Sequence, residues 1–140
     1  MKFYSFLSFA FFSTILTACS SSSSFKANDL KSEIYNGYWA MYPVENQYRV
    51  LKFQQNGSVR IYDYSCHNDG TYSLNETETV YLSPIRENQF TLLDAQKKPF
   101  AKYEFLQLNA QRFQAKQSFD KERPLILTYT NLKGAKPLCY

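Results

Sequence analysis

Histidine is nearly missing from this chain: His67 is the single one among 140 residues. A Ser–His–Asp relay would have to be built around that one imidazole, and no such arrangement can be traced in the sequence. A metal site would have to combine His67 with Asp69 and with Glu76 or Glu78, a set without recognisable ligand spacing, so His67 reads more simply as a turn residue. Glu76 and Glu78 would share one face of a strand, but such a pair fits a solvated turn as readily as acid–base work. Glycine is scarce too, with four in all, and none forms a phosphate loop or a dinucleotide fingerprint. Sixteen Lys and Arg stand against twelve Asp and Glu for a net charge of +4. They are scattered without a basic run, which describes a solvated surface and excludes a nucleic-acid footprint. After the first eighteen residues no apolar stretch is long enough for a second membrane attachment. The expectation is a protein with no catalytic residues, no cofactor and no metal, and so not an enzyme.

The first segment is informative. Residues 1–18, MKFYSFLSFAFFSTILTA, carry an early cation (Lys2), an uncharged apolar run, then small residues ahead of Cys19. That is the order of an export signal, and the run is too short for a comfortable span of about 20 residues. Leu16, Thr17, Ala18 and Cys19 resemble the cleavage motif of bacterial lipoproteins. The resemblance implies cleavage before Cys19, a diacylglyceryl group on its sulfur and an acyl chain such as palmitate on the new amino terminus. Ser20 rather than Asp after the cysteine implies, by that family's sorting preference, the outer membrane, with the face left open. Ser20 to Ser24 have no apolar surface to bury, which predicts a tether over 19–28 and a domain over 29–140. Two or more acyl chains, at about 0.8 kcal/mol per buried CH₂, hold firmly where one does not.

Three cysteines are an odd number for an exported protein. Assigning Cys19 to lipid leaves Cys66 and Cys139, which either pair as a disulfide or remain two buried thiols. Pairing would remove the Cys–His nucleophile option at Cys66-His67. Closing so long a loop would contribute about 4.4 kcal/mol in the chain-entropy model.

Beyond the leader and tether, roughly 105 to 110 residues remain, enough for one modest core. Twelve Tyr, twelve Phe and one Trp stand mostly in short alternating runs with Thr and Val, the composition of half-buried strands. "NDLKSEIY" (28–35) predicts a short helical turn capped by Asn28 or Asp29. Strands are predicted near 38–43, 47–54, 58–65, 70–75, 79–84, 89–94, 101–108, 111–117 and 125–131. Turn residues separate them, among them Asn56-Gly57, Asp69-Gly70, Lys98-Pro99 and Arg123-Pro124. Eight to nine strands joined by tight turns describe an antiparallel up-and-down barrel, which has no edges once closed.

The hairpin around Asn56-Gly57 has two registers. A two-residue turn sets Phe53 opposite Arg60. A three-residue loop, Gln55-Asn56-Gly57, pairs Phe53 with Val59 and Leu51 with Ile61, and sets Arg49 across from Asp63. A slip of one residue flips every side chain, so the register that gathers the aliphatic residues is expected, with Gly57 in the left-handed region. The other face then carries Tyr48, Val50, Lys52, Arg60, Tyr62 and Tyr64. Either face can be the interior, and the tyrosines line a ligand cavity or an exposed binding surface.

"YNGYW" (35–39) resembles the opening motif of the lipocalin superfamily, a Gly-x-Trp on the first strand after a helical turn, here Gly37 and Trp39. The late "YEFLQLNAQRFQAK" and "LILTYT" are similar to that family in outline. The resemblance implies that Trp39 plugs the closed end of a barrel whose pocket takes a small apolar or aromatic ligand. The family's arginine, stacked on the tryptophan from the last strand, has no counterpart in "LILTYT"; Arg123 or Arg112 would have to substitute. "YDYSC" (62–66) is loosely similar to small lysozyme-inhibitor lipoproteins, which implies a protein-binding module instead. Trp39, Tyr48, Tyr62 and Tyr64 are the candidate ligand residues, and the partner is a small hydrophobic ligand or an envelope or host protein. An enclosed cavity above about 300 Å³ would favour the ligand; a filled barrel with a protruding charged loop would favour the protein.

Overall fold

A computed structural model describes residues 24–42, 45–137 and 139. The leader and the lipidation candidate Cys19 lie outside the described residues. Eight strands follow in chain order: β1 (Tyr38–Met41), β2 (Gln47–Phe53), β3 (Ser58–Cys66), β4 (Tyr72–Arg86), β5 (Gln89–Leu93), β6 (Pro99–Leu108), β7 (Arg112–Ser118) and β8 (Leu125–Leu132). Each pairs antiparallel with the next, and β8 returns to β1, so the sheet closes into an all-β barrel.

The stretches expected as separate strands at 70–75 and 79–84 are one long strand, β4. The polar run Asn75 to Glu78 reads as a turn, yet it continues the ladder through a bulge opposite Asp63 and Tyr64. The Asn75 amide donates to Ser65 Oγ at 2.7 Å. The expected single helical turn is two 3-10 turns, Ala27–Asp29 and Ser32–Tyr35. Neither Asn28 nor Asp29 is the residue that precedes the first turn; that is Lys26, whose backbone N–H donates to the Asp29 carboxylate at 2.6 Å.

The β2–β3 hairpin has the three-residue-loop register, with Phe53 opposite Val59, Leu51 opposite Ile61 and Arg49 opposite Asp63. Gly57 stands at φ +81, and the ring of Phe25 occupies the space a Cβ would need. Strand alternation sends Trp39, Leu51, Phe53, Val59 and Ile61 inward, where they meet Phe90, Phe105, Phe113 and Tyr129 from the other side of the barrel. Edge-on contacts of Phe113 with Trp39 at 5.0 Å and with Phe53 at 5.9 Å knit rings from three strands together. Such ring pairs contribute about 0.5–1.5 kcal/mol each beyond their burial.

One end of the barrel is plugged. Trp39 is fully buried there and its indole N–H donates to the carbonyl of Ile34 at 2.7 Å. The ring packed on it is Phe113; Arg112 and Arg123 are both exposed. A different cation ties this end down, since Lys52 Nζ donates to the carbonyls of Tyr35 and Gly37 at 2.9 and 2.8 Å. Gly37 sits at φ +76 with Asn131 and the Leu132 carbonyl where a Cβ would go. Phe25, within the stretch read as tether, packs onto the core at this same end, beside Phe90 at 6.3 Å.

The tyrosine face is the outer wall. Ala40, Tyr48, Val50 and Tyr64 form a second buried cluster with Tyr38, Tyr62, Cys66 and Leu132 packed against it. The reason is the C-terminus. β8 ends beside Tyr38 at the plugged end, whereas Cys139 is bonded to Cys66, at the far end of β3. With the interior filled, the described residues 133–137 lead outside the barrel toward Cys139, and Leu132 and Cys66, at the two ends of this strap, pack against the tyrosine cluster.

Candidate functional site

The open end of the barrel is where the inward face turns polar. The alternation that buries Leu51 and Ile61 brings Arg49 and Asp63 to the same face two residues further on, near the rim. Arg49 Nε and Nη2 donate to the two Asp63 carboxylate oxygens, both at 2.7 Å. The pair is half-exposed, with side-chain accessibilities of 36% and 24%, so a contribution of roughly 1 kcal/mol is appropriate. Hydrogen bonding to Asp63 raises the guanidinium pKa further, although burial opposes it. This cation stays charged at every physiological pH.

Beneath the pair is a space of about 60 Å³, lined by Leu51, Phe53, Val59, Ile61, Val80, Leu82, Leu92 and Phe100 with Arg49, Glu78, Tyr103, Gln117 and Tyr129 as polar groups. That is room for a few waters. Above the pair, the mouth opens into a hollow of about 480 Å³ between Met41, Phe119, Leu125 and Leu127 on one side and Asp63, Asn75 and Glu76 on the other.

Two tyrosines form the floor. The Tyr103 hydroxyl is buried and makes no hydrogen bond among the described residues. Burial pushes its pKa well above the ordinary value, and the neighbouring Tyr129 hydroxyl adds to this. Burial likewise pushes Tyr129 up to about 12, against the opposing pull of Arg49. Tyrosines ordinarily ionise near pH 10. Between that pH and about 12 the folded state keeps protons that the unfolded state releases, so stability falls as pH rises through this window. We expect an absorbance titration at 295 nm to leave Tyr103 and Tyr129 neutral at about pH 11 in the native protein and to ionise every tyrosine in urea. Full native ionisation near pH 10 would remove these two from the interior.

The four candidate ligand residues do not form one pocket. Trp39 is inside, at the end opposite the mouth, while Tyr48, Tyr62 and Tyr64 belong to the outer cluster. Tyr48 also borders the mouth hollow. The mouth residues Tyr103, Gln117 and Tyr129 escape a reading of the sequence, which singles out Glu78 only as one of a pair of carboxylates. Arg49 and Asp63 do not, because the hairpin register already sets them opposite each other.

His67 and Asp69 occupy the β3–β4 turn. Asp69 accepts from the Thr71 hydroxyl at 2.6 Å and from the Thr71 N–H at 2.9 Å, and these bonds lower its pKa. Among the described residues no three His, Cys, Asp or Glu side chains gather as metal ligands would, and no helix is long and apolar enough to cross a membrane. No protein-family model, no curated protein and no solved structure matches this chain.

Proposed function

We propose that this chain is a lipid-anchored lipoprotein of the bacterial outer membrane that acts by binding, without catalysis, and that its partner is a protein met at the open end of the barrel. The observation that carries this reading is the filled interior. An interior space of about 60 Å³ is far below the roughly 300 Å³ at which small-molecule pockets begin. The lipocalin-like resemblance would place a ligand among the interior rings, but those rings pack on one another.

Orientation supports the same reading. Phe25 packs at the plugged end, and six residues of chain reach at most about 20 Å. A lipid on Cys19 therefore holds the plugged end toward the membrane and turns the mouth away from it. Around that mouth stand the exposed Tyr42, Leu74, Phe100, Leu125 and Ile126, apolar side chains of the kind that anchor protein interfaces.

A second reading keeps a small apolar ligand in the mouth hollow, whose volume of about 480 Å³ and mixed lining suit one. Photo-crosslinking in intact cells separates the two. A photoreactive residue at Leu125, on the mouth, is expected to yield a protein adduct, and one at Leu106, near the plugged end, is not. Native mass spectrometry showing only a small molecule on the purified protein would favour the second reading. Cys19→Ala is expected to release the protein from membranes; retention would refute the lipid anchor.

A further inference from the structure

A closed barrel has no free strand edges, yet this one keeps a long one. β4 pairs with β3 from Tyr72 to Tyr81 but with β5 only from Tyr81 to Arg86. β5 stops at Leu93 and turns back at 94–98 into β6. From Tyr72 to Val80 the second edge of β4 is therefore unpaired among the described residues, and the part beyond Glu76 rises above the rim. At about 3.3 Å per residue this edge is close to 30 Å long. Residues 72–78 are all exposed.

The phase of the edge follows from two backbone bonds: Leu82 N–H donates to the Gly57 carbonyl and His67 N–H to the Thr71 carbonyl. Below the bulge, Val80, Glu78 and Glu76 turn their backbone groups to β3, so Thr79 and Thr77 turn theirs outward. Above it, Leu74 and Tyr72 face outward in the same way. Solvent-facing edges of this kind are templates for another strand.

Charge selects the occupant. From Thr71 to Ile85 the chain has no Lys, Arg or His, and its charged side chains are Glu76 and Glu78. A second copy pairing antiparallel about this stretch would set glutamate against glutamate, and like charges directly opposite are destabilising. Glu76 and Glu78 also stand at the positions whose backbone points away from the new strand. In an antiparallel ladder those are the sites where facing side chains come closest.

We infer that the free edge of β4 binds an extended segment of a partner protein as an added strand, and that this segment carries lysine or arginine at alternate positions, opposite Glu76 and Glu78. The inference rests on the open-end reading above and specifies what that end recognises. Main-chain bonds along Thr77 and Thr79 supply the affinity, and the alternate cations supply the selection.

The test uses the full mature protein and a capped peptide of alternating threonine and lysine as long as the edge, followed by residue-resolved hydrogen exchange. The peptide is expected to slow exchange at Thr77 and Thr79 about fivefold or more. Thr77→Pro, which deletes an outward N–H and leaves the β3 ladder intact, is expected to abolish the protection. The double variant E76Q/E78Q, which changes no backbone group, is expected to weaken binding about tenfold. A peptide with glutamate in place of lysine is expected to give none. The proposal is overturned if the glutamate peptide protects equally or if protection is confined to the interior of the mouth. Protection that grows with protein concentration alone would overturn it in favour of a second copy. If Thr77→Pro leaves a protein adduct at Leu125 unchanged in cells, the edge proposal fails while the open-end reading stands. If no mouth position yields a protein adduct, the open-end reading itself fails.

Discussion

Replacing Trp39 with Ala is expected to lower the stability of the domain by about 3–5 kcal/mol, the range for deleting a large buried ring. Three losses coincide at this position. The indole is fully buried, so its removal opens a cavity between Phe113 and the turn at Ser32–Tyr35. The Ile34 carbonyl loses its donor, and an unpartnered buried acceptor costs about 1–3 kcal/mol where water cannot reach it. Trp39 also stands where the barrel is sewn shut, opposite Leu51 on β2 and Asn131 on β8. Trp39→Phe keeps most of the apolar surface and loses the N–H, so a smaller cost of about 1–2 kcal/mol is expected. Urea unfolding of the two variants against the native domain measures both, and a cost below about 1 kcal/mol for Trp39→Ala would show that the ring is not the plug.

Cys139→Ser is expected to cost about 2–4 kcal/mol, through the strap rather than the barrel. The bond joins residues 73 apart in sequence, and releasing that loop in the unfolded chain accounts for most of the effect. The barrel's own closure, β1 on β8, does not use the bond, so the eight strands are expected to survive. What loosens is the cover over Val50, Tyr48 and Tyr64. The expected pattern is a lower midpoint of unfolding, a far-ultraviolet spectrum like that of the native protein, and faster reaction of the outer tyrosines with a nitrating reagent. A native midpoint together with unreactive outer tyrosines would mean that the strap is held without its staple.

The hairpin from Gln47 to Cys66 shows how much a local pattern can settle. Four aliphatic and aromatic positions, Leu51, Phe53, Val59 and Ile61, alternate so that one register gathers them and the other scatters them, and a glycine stands where the loop needs a left-handed residue. Arg49 and Asp63 then meet without further information. The polar run Asn75 to Glu78 shows the opposite. Nothing local distinguishes a turn from a strand that has left the barrel wall, because solvation on both faces produces the same composition. The free edge of β4 was hidden for that reason.

Near neighbours in the chain thus sufficed for the strand class, the turns and the β2–β3 register, because a period of two and a one-residue slip act over a few residues. Cysteine arithmetic narrowed Cys66 and Cys139 to a bond or two buried thiols, and the fold joins them. Which face of the hairpin became the interior was decided only in three dimensions. Both faces carry apolar side chains, and the choice depends on Phe90, Phe105, Phe113 and Tyr129 arriving from strands far along the chain to fill one side, while a strap from the C-terminus covers the other. Interior volume is likewise a sum over all eight strands, and no short stretch of sequence contains it.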